Sequence, residues 1–211
     1  MNLKTDRNTK EDRITGILDA TFEAFSEYSF DDATTGEIAR RARISKRDLY
    51  ACFPNKQALL MGTIMREMQR QNEDFRESVA RAGELRSLRS KLEVIGVAVV
   101  EGILSPRMGM VRRLVISESI KQPYLGNLFF ENGVAQRCNL IGEVLARHQK
   151  ANSVGKRAEA DRAAENFFSM IAFFPNMMTE IGMRSKWNEE AISKHVEAQA
   201  ELFLKAHPAF E

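Results

Sequence analysis

Between Thr34 and Phe53 the chain reads TTGEIARRARISKRDLYACF, and this stretch constrains the fold more than any other. Thr34 stands three residues before Glu37, the spacing at which the two side chains can satisfy each other's orphan backbone N–H groups at a helix start. Ile38, Ala39 and Ala42 fall on one face, and the small alanines allow a close neighbour. Arg43-Ile44 makes the turn, and Ser45 is a good N-cap for the next helix. Leu49 and Phe53 repeat at i+4 and face inward, leaving Lys46, Arg47 and Tyr50 outside. Pro54 ends that helix, because the residue before a proline is pushed out of the α region. The pattern predicts a helix-turn-helix whose second helix can enter the major groove of DNA.

The longer run from Phe22 to Leu60, FEAFSEYSFDDATTGEIARRARISKRDLYACFPNKQALL, resembles the N-terminal DNA-binding domain of the tetracycline-repressor (TetR) family. Phe25, Phe30, Thr34-Thr35, Ile38-Ala39, Ala42, Ile44-Ser45, Leu49-Tyr50, Phe53, Lys56 and Leu59-Leu60 carry the resemblance, in order and without gaps. Three positions depart from it: Ser29 and Arg43 stand where the family usually has glycine, and Cys52 where it often has Tyr or His. A non-glycine residue at a left-handed turn position costs ~1 kcal/mol, which a folded domain absorbs. The resemblance implies an all-α protein, with a DNA-binding head over residues 1–54 and a helical effector-binding and dimerisation domain over 55–211. It also implies a homodimer on a palindromic double-stranded operator, released by a small effector.

Charge is distributed as such a head requires. The formal net charge is only +2 over 211 residues. From Thr34 to Lys56, however, Arg40, Arg41, Arg43, Lys46, Arg47 and Lys56 face only Glu37 and Asp48, while residues 1–33 are acidic on balance. A basic patch beside an acidic first helix suits a DNA-facing surface. Arg47 lies early in the recognition helix, where its planar fork could bond O6 and N7 of guanine; a phosphate contact or a solvated arginine is the plainer reading. Lys46 and Asp48 flank it, and Ser45 and Arg43 belong to the same surface. Tyr50, Thr34, Thr35 and Lys56 resemble the family's phosphate-gripping positions, which set register without reading bases. Arg40, Arg41 and Arg43 are expected to add diffuse attraction to the phosphate backbone.

Helical periodicity recurs along the rest of the chain, without a convincing alternating strand. After a polar opening arm, MNLKTDRNTK, residues Ile14, Ile17, Leu18, Thr21, Phe22 and Phe25 mark an amphipathic first helix. Asn55 caps a long helix that runs to about Gly83. Helices are predicted over 85–104, 108–120, 124–150, 159–184 and 189–206, with Gly126 and Gly133 as weak points in the third and 153–157 as a polar connection. The helix from residue 159 is apolar nearly all round, so both of its sides must be covered. One side can face its own core and the other a second copy, which makes Phe167, Phe174 and Ile181, with Val196 and Phe203 of the last helix, the expected dimer interface. The alternative is that these stripes are simply core.

Met108, Met110, Phe129, Phe130, Phe168, Met170, Phe173, Met177 and Met178 form a methionine- and phenylalanine-rich set that could line a pocket for an apolar or aromatic effector. A filled core fits the same residues, and the resemblance favours the pocket. Pro175 should kink its helix and free a backbone carbonyl, and Asn176 and Thr179 would add polar contacts.

Nothing points to catalysis. His148, His195 and His207 are isolated, and no P-loop or GxSxG pattern occurs. No metal or cofactor is implied. Cys52 and Cys138 lack metal-binding spacing and fit two reduced, buried thiols. The opening has no signal-peptide core, and the apolar run 167–178 is too short to span a bilayer, so a soluble cytoplasmic protein without a membrane partner is expected.

Overall fold

The computed structural model describes residues 3–149 and 154–210, and every described element is helical. In chain order these are α1 (Leu3–Glu27), α2 (Thr35–Arg41), α3 (Lys46–Cys52), α4 (Lys56–Gly83), α5 (Leu88–Leu104), α6 (Pro106–Ser119), α7 (Tyr124–Phe129), a π turn (Phe130–Val134), α8 (Ala135–His148), α9 (Val154–Glu180) and α10 (Glu189–Ala206). Short 3₁₀ turns occupy Arg184–Lys186 and Pro208–Phe210. The chain forms two compact units, one built from the residues up to Glu67 together with Arg113–Gly126, the other from Met68–Arg112 and from Asn127 onward. Helices α4 and α6 therefore contribute to both.

In the first unit α1 buries Ile17, Leu18, Thr21 and Phe25 and packs on α2. The Phe25 and Phe30 rings lie 5.6 Å apart. Arg66 of α4 holds α1 through the Thr15 carbonyl and the Asp19 carboxylate, and Lys121 pairs with Asp31 at 3.0 Å. Ser29 was expected to strain a left-handed turn and does not: its φ is negative, and its hydroxyl donates to Asp32 Oδ2 and accepts from the Asp32 N–H. A serine able to cap its own turn removes the need for glycine there.

The second unit is centred on α9, which packs on α5, α8 and α10. Phe167 meets Phe203 edge to face at 5.2 Å, and Phe203 stacks on His207 at 4.4 Å. Gly96 lets α5 approach α10, since a Cβ there would lie 2.7 Å from Val196 Cγ1. Phe167 and Phe203 are 0 % exposed and Val196 1 %. Their expected place in a dimer interface is corrected: side chains wholly enclosed by their own protomer have no surface left for a second one.

Element boundaries differ from the periodicity reading for local reasons. The opening arm is helical from Leu3 on, as an extension of α1. Ser87 accepts from the Ser90 N–H and starts α5 at Leu88. Pro106 is the first residue of α6, where its missing N–H costs nothing. The expected connection 153–157 is helical from Val154 on, and Ser153 lies outside the described residues. The predicted 124–150 helix contains the π turn, with Gly133 inside it. Helix α9 continues through Pro175 to Glu180.

Candidate nucleic-acid interface and ligand cavity

Helix α2 begins at Thr34, whose hydroxyl accepts from the Glu37 N–H at 3.1 Å. The reciprocal half of the expected capping box is absent, because the Glu37 carboxylate is taken by Arg40 and Arg41. Hydrogen bonds from these two guanidinium groups lower the Glu37 pKa to about 2. Arg41 reaches back to Glu27 of α1 as well. The charges of Arg40 and Arg41 are thus offset inside the head, whereas no ion pair engages Arg43, Lys46 or Arg47 among the described residues.

The turn after α2 is a Schellman motif. The Ile44 N–H donates to the Ala39 carbonyl at 3.0 Å and the Arg43 N–H to the Arg40 carbonyl at 3.2 Å, with Arg43 at φ 53°. That conformation favours glycine, so the arginine is held there by the surrounding turn. The same motif closes α9, where Gly182 has φ 81° and the Met183 N–H donates to the Met178 carbonyl at 2.7 Å.

Helix α3 starts at Ser45, whose hydroxyl accepts from the Asp48 N–H at 3.1 Å and donates to Asp48 Oδ2 at 2.7 Å. Asp48 also pairs with Arg13 of α1 at 3.0 Å, and these contacts, Ser45 first, lower its pKa. Asp48 is therefore committed to docking α3 on α1. Lys46 and Arg47 are exposed and form no ion pair among the described residues. Tyr50, 47 % exposed, shares a 3.0 Å hydrogen bond with Thr35, which joins the outer face of α3 to the start of α2. The Lys56 ammonium donates to the Asp31 carbonyl at 3.0 Å and sits 4.7 Å over the Phe30 ring, so part of its bonding capacity braces the loop before α2. Phe53, before Pro54, is extended as expected.

In the second unit a cavity of about 340 Å³ lies among α5, α6, α7, the π turn, α8 and α9. Met108, Phe129, Phe168 and Phe173 line it as the sequence suggested, and so does Asn176. Met110, Phe130, Met170, Met177 and Met178 lie off its wall, a correction to the predicted set. Met110 is buried elsewhere, while Phe130 and Met177 face outward. Sequence reasoning missed Gly102, Arg112, Arg137 and Ser169. A signal existed for Arg137, which sits three residues after Val134 and four before Ile141 on an otherwise apolar stripe.

The π turn helps to shape this wall. Its wider backbone leaves the Asn132 carbonyl to the buried Asn72, whose side-chain amide donates to it at 2.7 Å and to Gln136 Oε1 at 3.0 Å. Single π turns within helices recur at functional sites. Arg112 is neutralised locally: its Nε donates to Glu180 at 2.8 Å and Nη2 to the Ile103 carbonyl at 2.9 Å. The carbonyl freed by Pro175, that of Ile171, goes to His195 and not to the cavity.

Among the described residues no group of three His, Cys, Asp or Glu side chains could hold a metal ion, and no single helix is long and apolar enough to cross a membrane. Both cysteines are free and half-buried, and burial raises the Cys138 thiol to about 11, which makes it a poor nucleophile.

Residues 17–61 match the family described as bacterial regulatory proteins, tetR family, and residues 90–208 match the AefR-like transcriptional repressor, C-terminal domain. An uncharacterized HTH-type transcriptional regulator of Bacillus subtilis, YdeS, is 34% identical over 65 residues, which cover 31% of this chain and 33% of that protein. The match thus spans about a third of the relative's length. Among solved structures, one from Mesorhizobium loti described as a TetR-family transcriptional regulator superposes with a TM-score of 0.84 at 19% identity, covering 93% of this chain and 96% of that one. The flavonoid-responsive regulator FrrA gives 0.72 at 24% identity over 93% and 97%. The fatty acid degradation regulator FadR from Bacillus halodurans gives 0.66 at 18% over 91% and 94%. The second family match alone spans more than half of the chain, and the first falls on the helix-turn-helix. The chain belongs to the TetR family of DNA-binding transcriptional regulators.

Proposed function

We propose that the protein is a cytoplasmic, non-enzymatic repressor that binds a palindromic operator as a homodimer and leaves it when a small, largely apolar effector occupies the cavity. Residues 1–54 form the DNA-binding head and 55–211 the effector and dimerisation domain. The observation that carries the reading is the outer face of α3, where Lys46 and Arg47 stand exposed and unpaired beside the Thr35–Tyr50 hydrogen bond. Arg47 reads a base. Thr34, Thr35, Tyr50 and Lys56 grip phosphates, while Arg43, Ser45 and Lys46 complete the contact surface. Asp48 acts indirectly by fixing α3. The family description as a repressor supports the direction of control.

One recognition helix reads only a few base pairs, so two copies address half-sites one helical turn apart, about 34–36 Å. The second copy would be met by Phe174 of α9 and Ile181 just past its end, the two members of the predicted interface that stay exposed, at 52 % and 62 %. Helix α4 belongs to both compact units, and an effector acts by changing its setting and with it the half-site spacing. A hundredfold loss of operator affinity needs a coupling of about 2.7 kcal/mol, within the ordinary allosteric range.

Selection of bound DNA from random sequence tests the reading. An inverted repeat is expected, and Arg47→Ala should cost ~1–3 kcal/mol and relax one base position. Selected DNA without dyad symmetry, or an Arg47→Ala protein that keeps the parent's sequence preference and affinity, overturns it. An activator, or a DNA-binding protein without ligand control, would show the same DNA but differ in transcription or in response to ligands.

A further inference from the structure

We infer that the cavity takes a compact apolar ligand bearing a carboxylate, with Arg137 of α8 as its counter-charge. The inference rests on the reading of this cavity as the effector site and names the class of molecule that enters it.

Arg137 lines the cavity, yet no carboxylate pairs with it among the described residues. The Phe75 ring lies 5.8 Å from its guanidinium carbon. Arg112, another cavity-lining charge, has the same sign; burial first and Arg112 second push the Arg137 pKa down. Glu180, which could have balanced the pair, is spent on Arg112. Arg137 also borders a second hollow of about 140 Å³ with Asp74 and Glu101, and neither carboxylate forms an ion pair with the guanidinium among the described residues. Glu165 lies near Cys138, the next residue, and not within bonding range of Arg137. The cavity thus holds one more positive charge than its walls neutralise.

Arg137 is half-buried, and a charge partly withdrawn from water without a partner is costly; an anion delivered by a ligand offsets that cost. A guanidinium presents two parallel N–H groups that fit the two oxygens of a carboxylate. Gly102 lies beside the guanidinium: a Cβ there would stand 4.0 Å from Arg137 Nη2, in ordinary contact, and 2.8 Å from Gln71 Oε1. The rest of the wall, with Met108, Phe129 and Phe168, suits an apolar body. At about 340 Å³ the space lies at the small end of ligand pockets, roughly 300–1,000 Å³. A short alkyl chain or a single aromatic ring fits that size, with the carboxylate turned toward α8.

Isothermal titration of the full chain with short alkanoates and phenylalkanoates, each beside its neutral primary amide, tests this directly. The carboxylate of a binding pair should bind roughly tenfold tighter or more, as hydrogen bonds to charged groups exceed neutral ones. In Arg137→Met that preference should vanish, while the unliganded protein unfolds at the same temperature or higher. The parent's own carboxylate-to-amide ratio decides the case even if the variant folds poorly. Amides that bind as tightly as carboxylates overturn the ligand class and leave an effector cavity standing. Carboxylates that bind through Arg137 yet leave operator affinity unchanged keep the ligand class and remove the switch. If neither series binds, both readings fall.

Discussion

Pro175 of α9 and His195 of α10 supply the two halves of one hydrogen bond: the proline removes the N–H that would serve the Ile171 carbonyl, and the histidine replaces it at 3.0 Å. A carbonyl only accepts, so His195 Nε2 carries the proton. Trp187 packs edge-on against the same imidazole at 5.1 Å and holds its plane. The freed backbone group has become a specific link between two helices.

The coupling can be measured by a double-mutant cycle. His195→Ala alone should cost about 1–3 kcal/mol, because it strands a buried carbonyl. In a Pro175→Ala background the restored backbone N–H can serve Ile171, so the same histidine substitution should cost distinctly less. Additive losses in urea unfolding would show that the two residues stabilise the helices independently.

The two Schellman turns predict opposite responses to glycine. Arg43→Gly should stabilise the head by about 1 kcal/mol through relief of a left-handed arginine. Gly182→Ala should destabilise the end of α9 by a similar amount. Arg43→Gly should also weaken DNA binding evenly across sequences if its guanidinium attracts phosphate. Thermal unfolding and operator titration of the same samples separate the two effects.

Glu37 sets a pH dependence. Its pKa is lowered from 4.5 to about 2 by Arg40 and Arg41, so its contribution is present above pH 4.5 and is lost as pH falls toward 2. Glu37→Gln should flatten that acid limb of the stability curve. The group is partly exposed, so the difference should shrink as salt is added. An unchanged acid limb in the glutamine variant would assign acid sensitivity to other carboxylates.

Burial separates two phenylalanines that looked alike in the sequence. Phe174→Glu places a charge on an exposed position and should yield folded monomers. Phe203→Glu buries an unpaired charge in the core of the second unit and should unfold it or leave it insoluble. Sedimentation distinguishes the two, and a monomeric parent protein would remove the dimer with its palindrome.

The helix-turn-helix was legible because its determinants are local: two caps, a turn and a proline act over four or five residues. Even there, the partner of Glu37 depended on whether a guanidinium or a backbone N–H came closer, and the sequence pattern favoured the N–H. Helix α9 was harder because it is apolar on nearly every side, so its periodicity cannot say whether Phe167 or Phe174 faces inward. Packing decided: Phe167 is enclosed against Phe203, whereas Phe174 meets the Phe173 ring at 6.3 Å and stays half exposed. Five of the nine predicted wall residues lie off the cavity, four of them on α6 and α9, where an apolar stripe does not tell a core face from a cavity face. Phase counted along an ideal helix fails where the helix is not ideal, and Arg137, the residue with the most chemical consequence, was hidden among apolar neighbours.

The π turn at Phe130–Val134 sets that phase. Phe129 and Arg137 are eight residues apart, so in an uninterrupted α-helix they would point about 80° away from each other. The wider turn absorbs the excess, and both reach the same cavity. One inserted residue therefore acts as a frame for everything downstream. Deleting a single position within 130–134 would leave the pair seven residues apart, about 20° from alignment in a regular helix, so the shortened chain should keep the guanidinium on the side of the space it lines.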